Sequence, residues 1–249
     1  MTLLNDLILV LLTYMYVVLT IIIPVQLKKR DKISKFTARK TVHLLAGLSI
    51  LVTPFFTYPA FALLIAGPLT VLVFFSSKES KVELLKDLYE SIGEEEEEKL
   101  KRKFLQGPFN YCLSITILIA IFVLFAPHQL YFPLAGILIM IVADTMASVV
   151  GKRYGKISLK LPWTGKRTLV GSTTMFICSF LLSLGSFWYF GLFNPLTQIP
   201  LTWDIIILYA FITALLATII EILSPSTWDD LTVPICSTII IYLLTFVYL

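Results

Sequence analysis

The stretch LYFPLAGILIMIVADTMASVVGKRYG, residues 130–155, decides how this chain is read. Residues 130–143 carry no charge, then Asp144 appears, followed by small residues and the pair Lys152 and Arg153. A helix that crosses a bilayer needs about 20 predominantly apolar residues. The run therefore reads as a spanning helix with a carboxylate about two turns before its basic end. An ionisable group at that depth is costly and marks a functional position.

The rest of the chain agrees with a membrane setting. It is 57% hydrophobic and 14% charged over 249 residues, with a mean hydropathy of +0.88. Soluble domains are about one quarter charged. Eight apolar segments are expected as spans, at 5–27, 42–57, 59–77, 109–126, 130–150, 169–191, 204–223 and 232–249. The second, third and eighth are short, and if the second and third form one hairpin, six or seven full spans result. The fold class expected is an all-α, polytopic integral membrane bundle of about seven to eight helices, one domain over 1–249. The first segment lacks a basic leader and an A-x-A site, so it reads as a retained helix. Cys112, Cys178 and Cys236 fall inside apolar segments without metal-type spacing and read as buried structural thiols.

All 20 lysines and arginines lie in three loops: seven in 28–40, seven in 78–103 and six in 152–167. With eight spans these loops share one side, and the positive-inside rule makes it cytoplasmic. The opposite loops carry only His128, Asp204 and the N-terminal Asp6. Residues 78–108 are expected to form a cytoplasmic or interfacial helical loop broken at Gly93, with Glu94–Glu98 a solvated face. A basic face suits anionic lipid headgroups or a polyphosphate; no nucleic-acid partner is expected.

Ionisable groups recur at that same level. Besides Asp144 there are Glu221, the pair Asp229 and Asp230 in SPSTWDD, and His43 with Arg39 and Lys40. Asp144, Ala147, Ser148, Gly151 and Gly155 repeat every three or four residues and share a helix face. Such a comb serves either close helix packing or the approach of backbone N–H groups to phosphate. The next loop favours phosphate: Gly165, Lys166, Arg167, Thr168, Gly171 and Ser172 combine fixed charge, hydroxyl donors and a helix start. It is not a P-loop, because G-x-x-x-x-G-K-[ST] does not occur. Carboxylates beside basic groups suit a magnesium–nucleotide site, since Mg²⁺ takes one or two carboxylates plus substrate phosphates.

In order, the chain carries R-K-x-x-H-x-x-x-G from Arg39 to Gly47 and G-P-x-x-Y from Gly107 to Tyr111. Then come D-x-x-A-x-x-x-G-x-x-x-G from Asp144 to Gly155, G-K-R-T-x-x-G-S from Gly165 to Ser172, Glu221, and D-D-L-T-V-P from Asp229 to Pro234. This series, over about residues 37–240, resembles the CTP-dependent polyprenol kinases, a family that includes phytol, farnesol and dolichol kinases and the CTP-dependent diacylglycerol kinase. Val170 stands where many relatives have glutamate, which points to the phytol or prenol branch and makes metal assignments carried over from dolichol kinases less secure. The phosphatidate cytidylyltransferases share the glycine comb and the Gly165–Ser172 cluster, but their C-terminal P-G-H-G-G-x-x-D-R-x-D signature is not in this sequence.

The resemblance implies transfer of the CTP γ-phosphate to an isoprenoid alcohol of phytol, geranylgeraniol or dolichol type at the cytoplasmic face. Asp144 and Asp230, with Asp229 or Glu221, would hold Mg²⁺ or another divalent cation. Lys166 and Arg167, with Lys152, Arg153, Arg39 and Lys40, would serve the phosphates. Gly151, Gly155, Gly165 and Gly171 would shape the nucleotide loops beside Thr168 and Ser172. A carboxylate or His43 would accept the alcohol proton. Three rival readings are a diacylglycerol kinase, a cytidylyltransferase and a transporter; a transporter's polar residues should line a path across the bilayer.

Overall fold

A computed structural model describes residues 3–77, 79–93, 105–159, 167–225 and 228–248. Among them, regular structure is almost wholly helical: α1 (Leu3–Lys29), α2 (Lys35–Gly47), α3 (Phe61–Phe75), α4 (Glu83–Ile92), α5 (Gln106–Phe125), α6 (Tyr131–Leu138), α7 (Asp144–Tyr154), α8 (Leu169–Trp188), α9 (Trp203–Leu223) and α10 (Asp229–Tyr248). A π-turn, Ile139–Ala143, joins α6 to α7, and another, Tyr189–Phe193, extends α8. Among the described residues, six helices are long and apolar enough to cross a membrane: Leu3–Lys29, Gln106–Phe125, Tyr131–Tyr154, Leu169–Phe193, Trp203–Leu223 and Asp229–Phe246. These match six of the eight expected segments. The chain divides into two compact units, Met1–Ala120 and Ile121–Leu249.

In the N-terminal unit the expected second span is a broken one. Ser34 caps α2, its hydroxyl accepting from Thr37 N–H at 3.1 Å. The α-helix gives way after Gly47 to a tighter 3₁₀ segment, Leu48–Phe55. Glycine is a poor helix former, and Pro54 has no N–H to continue the ladder. The two pieces together are about 36 Å long, against about 40 Å for α1. They run back along α1: Tyr16 donates to Leu45 O at 2.7 Å, and Asp6, near the start of α1, accepts from Thr57 N and Tyr58 N, each at 3.0 Å. The chain at 57–58 therefore lies at the opposite end of α1 from Lys28 and Lys29. The apolar α3 returns, at about 22 Å too short for a full span. Lys29, at the basic end, pairs with Asp87 of α4. The inner face of α4 (Leu88, Tyr89, Ile92) packs with Val25, Val42, Val73 and Leu105. The expected break at Gly93 is present; the Glu94–Glu98 run lies outside the described residues.

Asp6 is fully buried. Its two accepted bonds make it the clasp between α1 and the turn before α3. Asp6→Ala is expected to lower stability by about 1–3 kcal/mol, because two backbone donors lose their acceptor. A thermal unfolding scan in detergent reads this as a lower Tm, with a smaller loss for Asp6→Asn, which keeps one acceptor oxygen.

The C-terminal unit is an up-and-down bundle of α6–α7, α8, α9 and α10. The buried stripe of α8 is Ser172, Met175, Ser179, Ser183 and Ser186, and that of α9 is Ala210, Thr213, Ala214, Ala217 and Glu221. Small residues let helix backbones approach closely where hydrophobic force between helices is absent. One end is filled by aromatic rings: Phe132 lies 5.5 Å from Phe187, 5.8 Å from Tyr209 and 5.9 Å from Tyr242. The middle holds Ile139, Ala143, Ala147, Met175, Ala217 and Val233. The far end carries the charge. Cys112, Cys178 and Cys236 are each half-buried, so the expectation of buried structural thiols gives way to partial exposure.

Candidate functional site

Four helix ends and one short strand build the charged end of the C-terminal unit. Asp144 opens α7 just after the π-turn, its N–H bonded to Ile139 O. Such one-residue expansions recur at functional positions. Asp144 is 9% exposed and Asp230 6%. Each offers a carboxylate oxygen within 4.8 Å of one on the other. Two carboxylates so close and so shielded repel unless a cation or a proton is shared between them. Oxygen ligands opposite each other on Mg²⁺ stand about 4.2 Å apart, so this pair fits a small divalent ion.

The strand pair β1 (Ser158–Leu159) and β2 (Arg167–Thr168) brings the basic loop back, Leu159 opposite Arg167 and Ser158 opposite Thr168. Arg167 Nη1 donates to Glu221 Oε1 and Nη2 to Asp229 Oδ2, both at 2.8 Å. Burial alone would lower the Arg167 pKa, but Glu221, Asp229 and, more weakly, Asp144 more than offset it, and the pKa is raised. Glu221 Oε2 also meets the Ser172 hydroxyl at 3.5 Å. Asp229 Oδ1 accepts from Asp230 N–H at 3.0 Å, as a carboxylate does in the first turn of a helix. Ser224 and Thr232 hydroxyls, 2.5 Å apart, tie the end of α9 to the start of α10.

The glycine comb packs helices. Thr168 caps α8, accepting from Gly171 N–H at 3.1 Å. A Cβ on Gly151 would stand 3.4 Å from Gly171 Cα and 2.9 Å from Thr168 Oγ1. Gly151 and Gly171 thus meet backbone to backbone where α7 crosses α8. A Cβ on Gly155 would press on Thr168 Cγ2 at 2.5 Å. Lys152 and Arg153 are exposed in the last turn of α7, with Arg153 5.4 Å over the Tyr154 ring. Gly165 and Lys166 lie outside the described residues.

So Asp144, Glu221, Asp229, Asp230, Arg167, Thr168, Gly171 and Ser172, singled out along the sequence, converge in the C-terminal unit. Arg39, Lys40 and His43 belong to α2 of the N-terminal unit. There the Tyr111 hydroxyl donates to His43 O at 2.8 Å, and the two rings lie 4.2 Å apart. This ties the motif at Arg39–Gly47 to the motif at Gly107–Tyr111. The mutual pairing of Arg167 with Glu221 and Asp229 is the feature that sequence reasoning missed.

Relatives extend over most of the chain. A protein from Glycine max named probable phytol kinase 2, chloroplastic, is 30% identical over 222 residues, covering 88% of this chain and 69% of its own length. The chain belongs to the phytol kinase family. Within that family, a Triticum aestivum protein named probable phytol kinase, chloroplastic, is 28% identical over 88% of this chain and 70% of its own length. Arabidopsis thaliana phytol kinase 1, chloroplastic, is 26% identical over 87% and 69%. The chain thus spans about two thirds of these relatives, and the phytol branch is the one to which Val170 points. No protein-family model and no solved structure matches the chain.

Proposed function

We propose that this chain is a membrane-embedded kinase that moves the γ-phosphoryl group of CTP to an isoprenoid alcohol of phytol type. The alcohol oxygen forms a bond to the γ-phosphorus, the bond from that phosphorus to the β–γ bridging oxygen breaks, and the alcohol proton leaves to a base. The products are a prenyl monophosphate and CDP. The observation that carries the reading is the shielded pair Asp144 and Asp230 in a chain whose relatives are named phytol kinases.

Asp144 and Asp230 would hold Mg²⁺, which when bound neutralises charge on the transferring phosphates. The pair sits where bulk water is scarce, so each charge acts more strongly than it would in solution. Lys152 and Arg153, in the last turn of α7, and Lys166 would attract the nucleotide to this end. Thr168 and Ser172 bring hydroxyl groups to the start of α8. This end would face the cytoplasm, a reading that the basic loops support under the positive-inside rule. Exposed apolar faces such as Ile177, Leu181, Phe211 and Leu215 suit contact with lipid tails, the medium from which an isoprenoid chain would enter.

The test is product analysis on purified protein in detergent with Mg²⁺ and γ-labelled CTP or ATP. Phytol, geranylgeraniol, dolichol, diacylglycerol and phosphatidate are supplied separately. Label is expected in a prenyl phosphate, with phytol or geranylgeraniol and with CTP the better donor. Pyrophosphate released with phosphatidate would replace this reading with CDP-lipid synthesis, and label in phosphatidate alone would make the chain a diacylglycerol kinase.

A further inference from the structure

Arg167 stands in a run of basic and hydroxyl residues that suits phosphate, yet both of its Nη atoms are engaged by protein carboxylates. Nη1 holds Glu221 of α9 and Nη2 holds Asp229 of α10, each at 2.8 Å. Nε, the donor inside the fork, is buried and has no hydrogen-bond partner among the described residues. The side chain is 14% exposed, and Glu221 is 5% exposed at its side chain. A guanidinium fork enclosed in this way joins β2 to two helices. Lysine, with one compact ammonium, does not reproduce two divergent planar donors.

Asp229 passes the constraint on. Its Oδ2 takes the Arg167 bond and its Oδ1 the N–H of Asp230. That backbone group opens α10, and the Asp230 side chain is the one that stands within 4.8 Å of Asp144. The connection therefore runs from Arg167 through Asp229 to the backbone of Asp230, and ends at the carboxylate pair.

We infer that Arg167 is a positioning residue that, through Asp229, holds the first turn of α10 so that Asp230 and Asp144 share one divalent cation, and that it does not bind the nucleotide. This rests on the proposed role of Asp144 and Asp230. Partners that orient metal ligands typically change metal affinity about 10–100-fold when removed.

The test uses the full chain in detergent and needs no turnover. Mn²⁺ binding is followed by the loss of the free-ion EPR signal for Arg167→Lys, Asp229→Asn and the double variant. CTP KM is measured beside it at saturating metal. Each single variant is expected to weaken Mn²⁺ binding about tenfold. The double should be no weaker than the weaker single, because both cut one connection, and CTP KM should move less than twofold. Unchanged Mn²⁺ affinity with a tenfold rise in CTP KM would overturn the inference and make Arg167 a phosphate ligand. A double variant weakened by the product of the singles would also overturn it. Should Arg167→Lys fail to fold, Asp229→Asn decides alone, since wild-type Mn²⁺ affinity in that variant breaks the connection. Asp144→Asn separates the two levels. If it keeps wild-type Mn²⁺ affinity, the metal pair itself is wrong and the inference falls with it. If it loses Mn²⁺ while Asp229→Asn does not, only the role of Arg167 is wrong.

Discussion

Asp144→Asn is expected to lower turnover about 10³-fold, the scale at which a preorganised charge at a transferring group acts, with no loss of folded protein. The substitution keeps the shape of the side chain and removes its charge. Asp144 and Asp230 are both shielded, with carboxylate oxygens within 4.8 Å of each other. Without a cation, two such groups repel, so the asparagine variant should unfold in EDTA at the same Tm as wild type or a higher one. Added Mg²⁺ should raise the wild-type Tm by stabilising the ion-bound state and leave the variant unmoved. Asp230→Asn should behave in the same way, and the double variant should be scarcely worse than either single, because the two carboxylates act as one unit. Turnover of Asp144→Asn within threefold of wild type, at saturating Mg²⁺ and CTP, would remove this pair from the mechanism.

Gly171→Val is the second large effect, and it tests geometry where the first tests charge. A Cβ at this position would lie 3.0 Å from Thr168 Oγ1, 3.2 Å from Ala147 O and 3.5 Å from Gly151 Cα. Alanine needs a shift of a few tenths of an ångström. Valine adds two methyl groups against the backbone of α7, which cannot turn aside. Overpacking of this kind costs about 1–3 kcal/mol. The helices it separates carry Asp144 on one side and Ser172 on the other, with Arg167 in the strand that leads into α8. A displacement of about 1 Å between reacting groups costs about 10²-fold in rate. Tm and kcat are therefore expected to fall together for Gly171→Val, and little for Gly171→Ala. If valine instead raised CTP KM with Tm unchanged, the glycine would serve phosphate approach and not helix packing.

The helical membrane class, most helix positions, the residues at the charged end and the family are all legible along the chain. Hydropathy is a local property with one strong constraint behind it: a backbone crossing lipid must satisfy its own hydrogen bonds, so an apolar run of the right length becomes a helix. The depth of Asp144 and the order of the polar motifs followed from counting along the chain. The expected span over 42–57 was less legible, because Gly47 and Pro54 turn it into an α-helix followed by a 3₁₀ segment. Which partner each polar group meets is visible only in the fold. Asp6, read as a lone charge in an outer loop, is the buried acceptor that clasps α1 to the turn at Thr57. Gly151 and Gly171 come from separate motifs and meet as one helix crossing. Arg167 reads along the chain as a phosphate ligand and Glu221 as a metal ligand, yet in the fold each holds the other. The physical reason is range: hydrophobic periodicity repeats every few residues and leaves a pattern, whereas a buried ion pair joins distant segments at a spacing that no local rule prescribes.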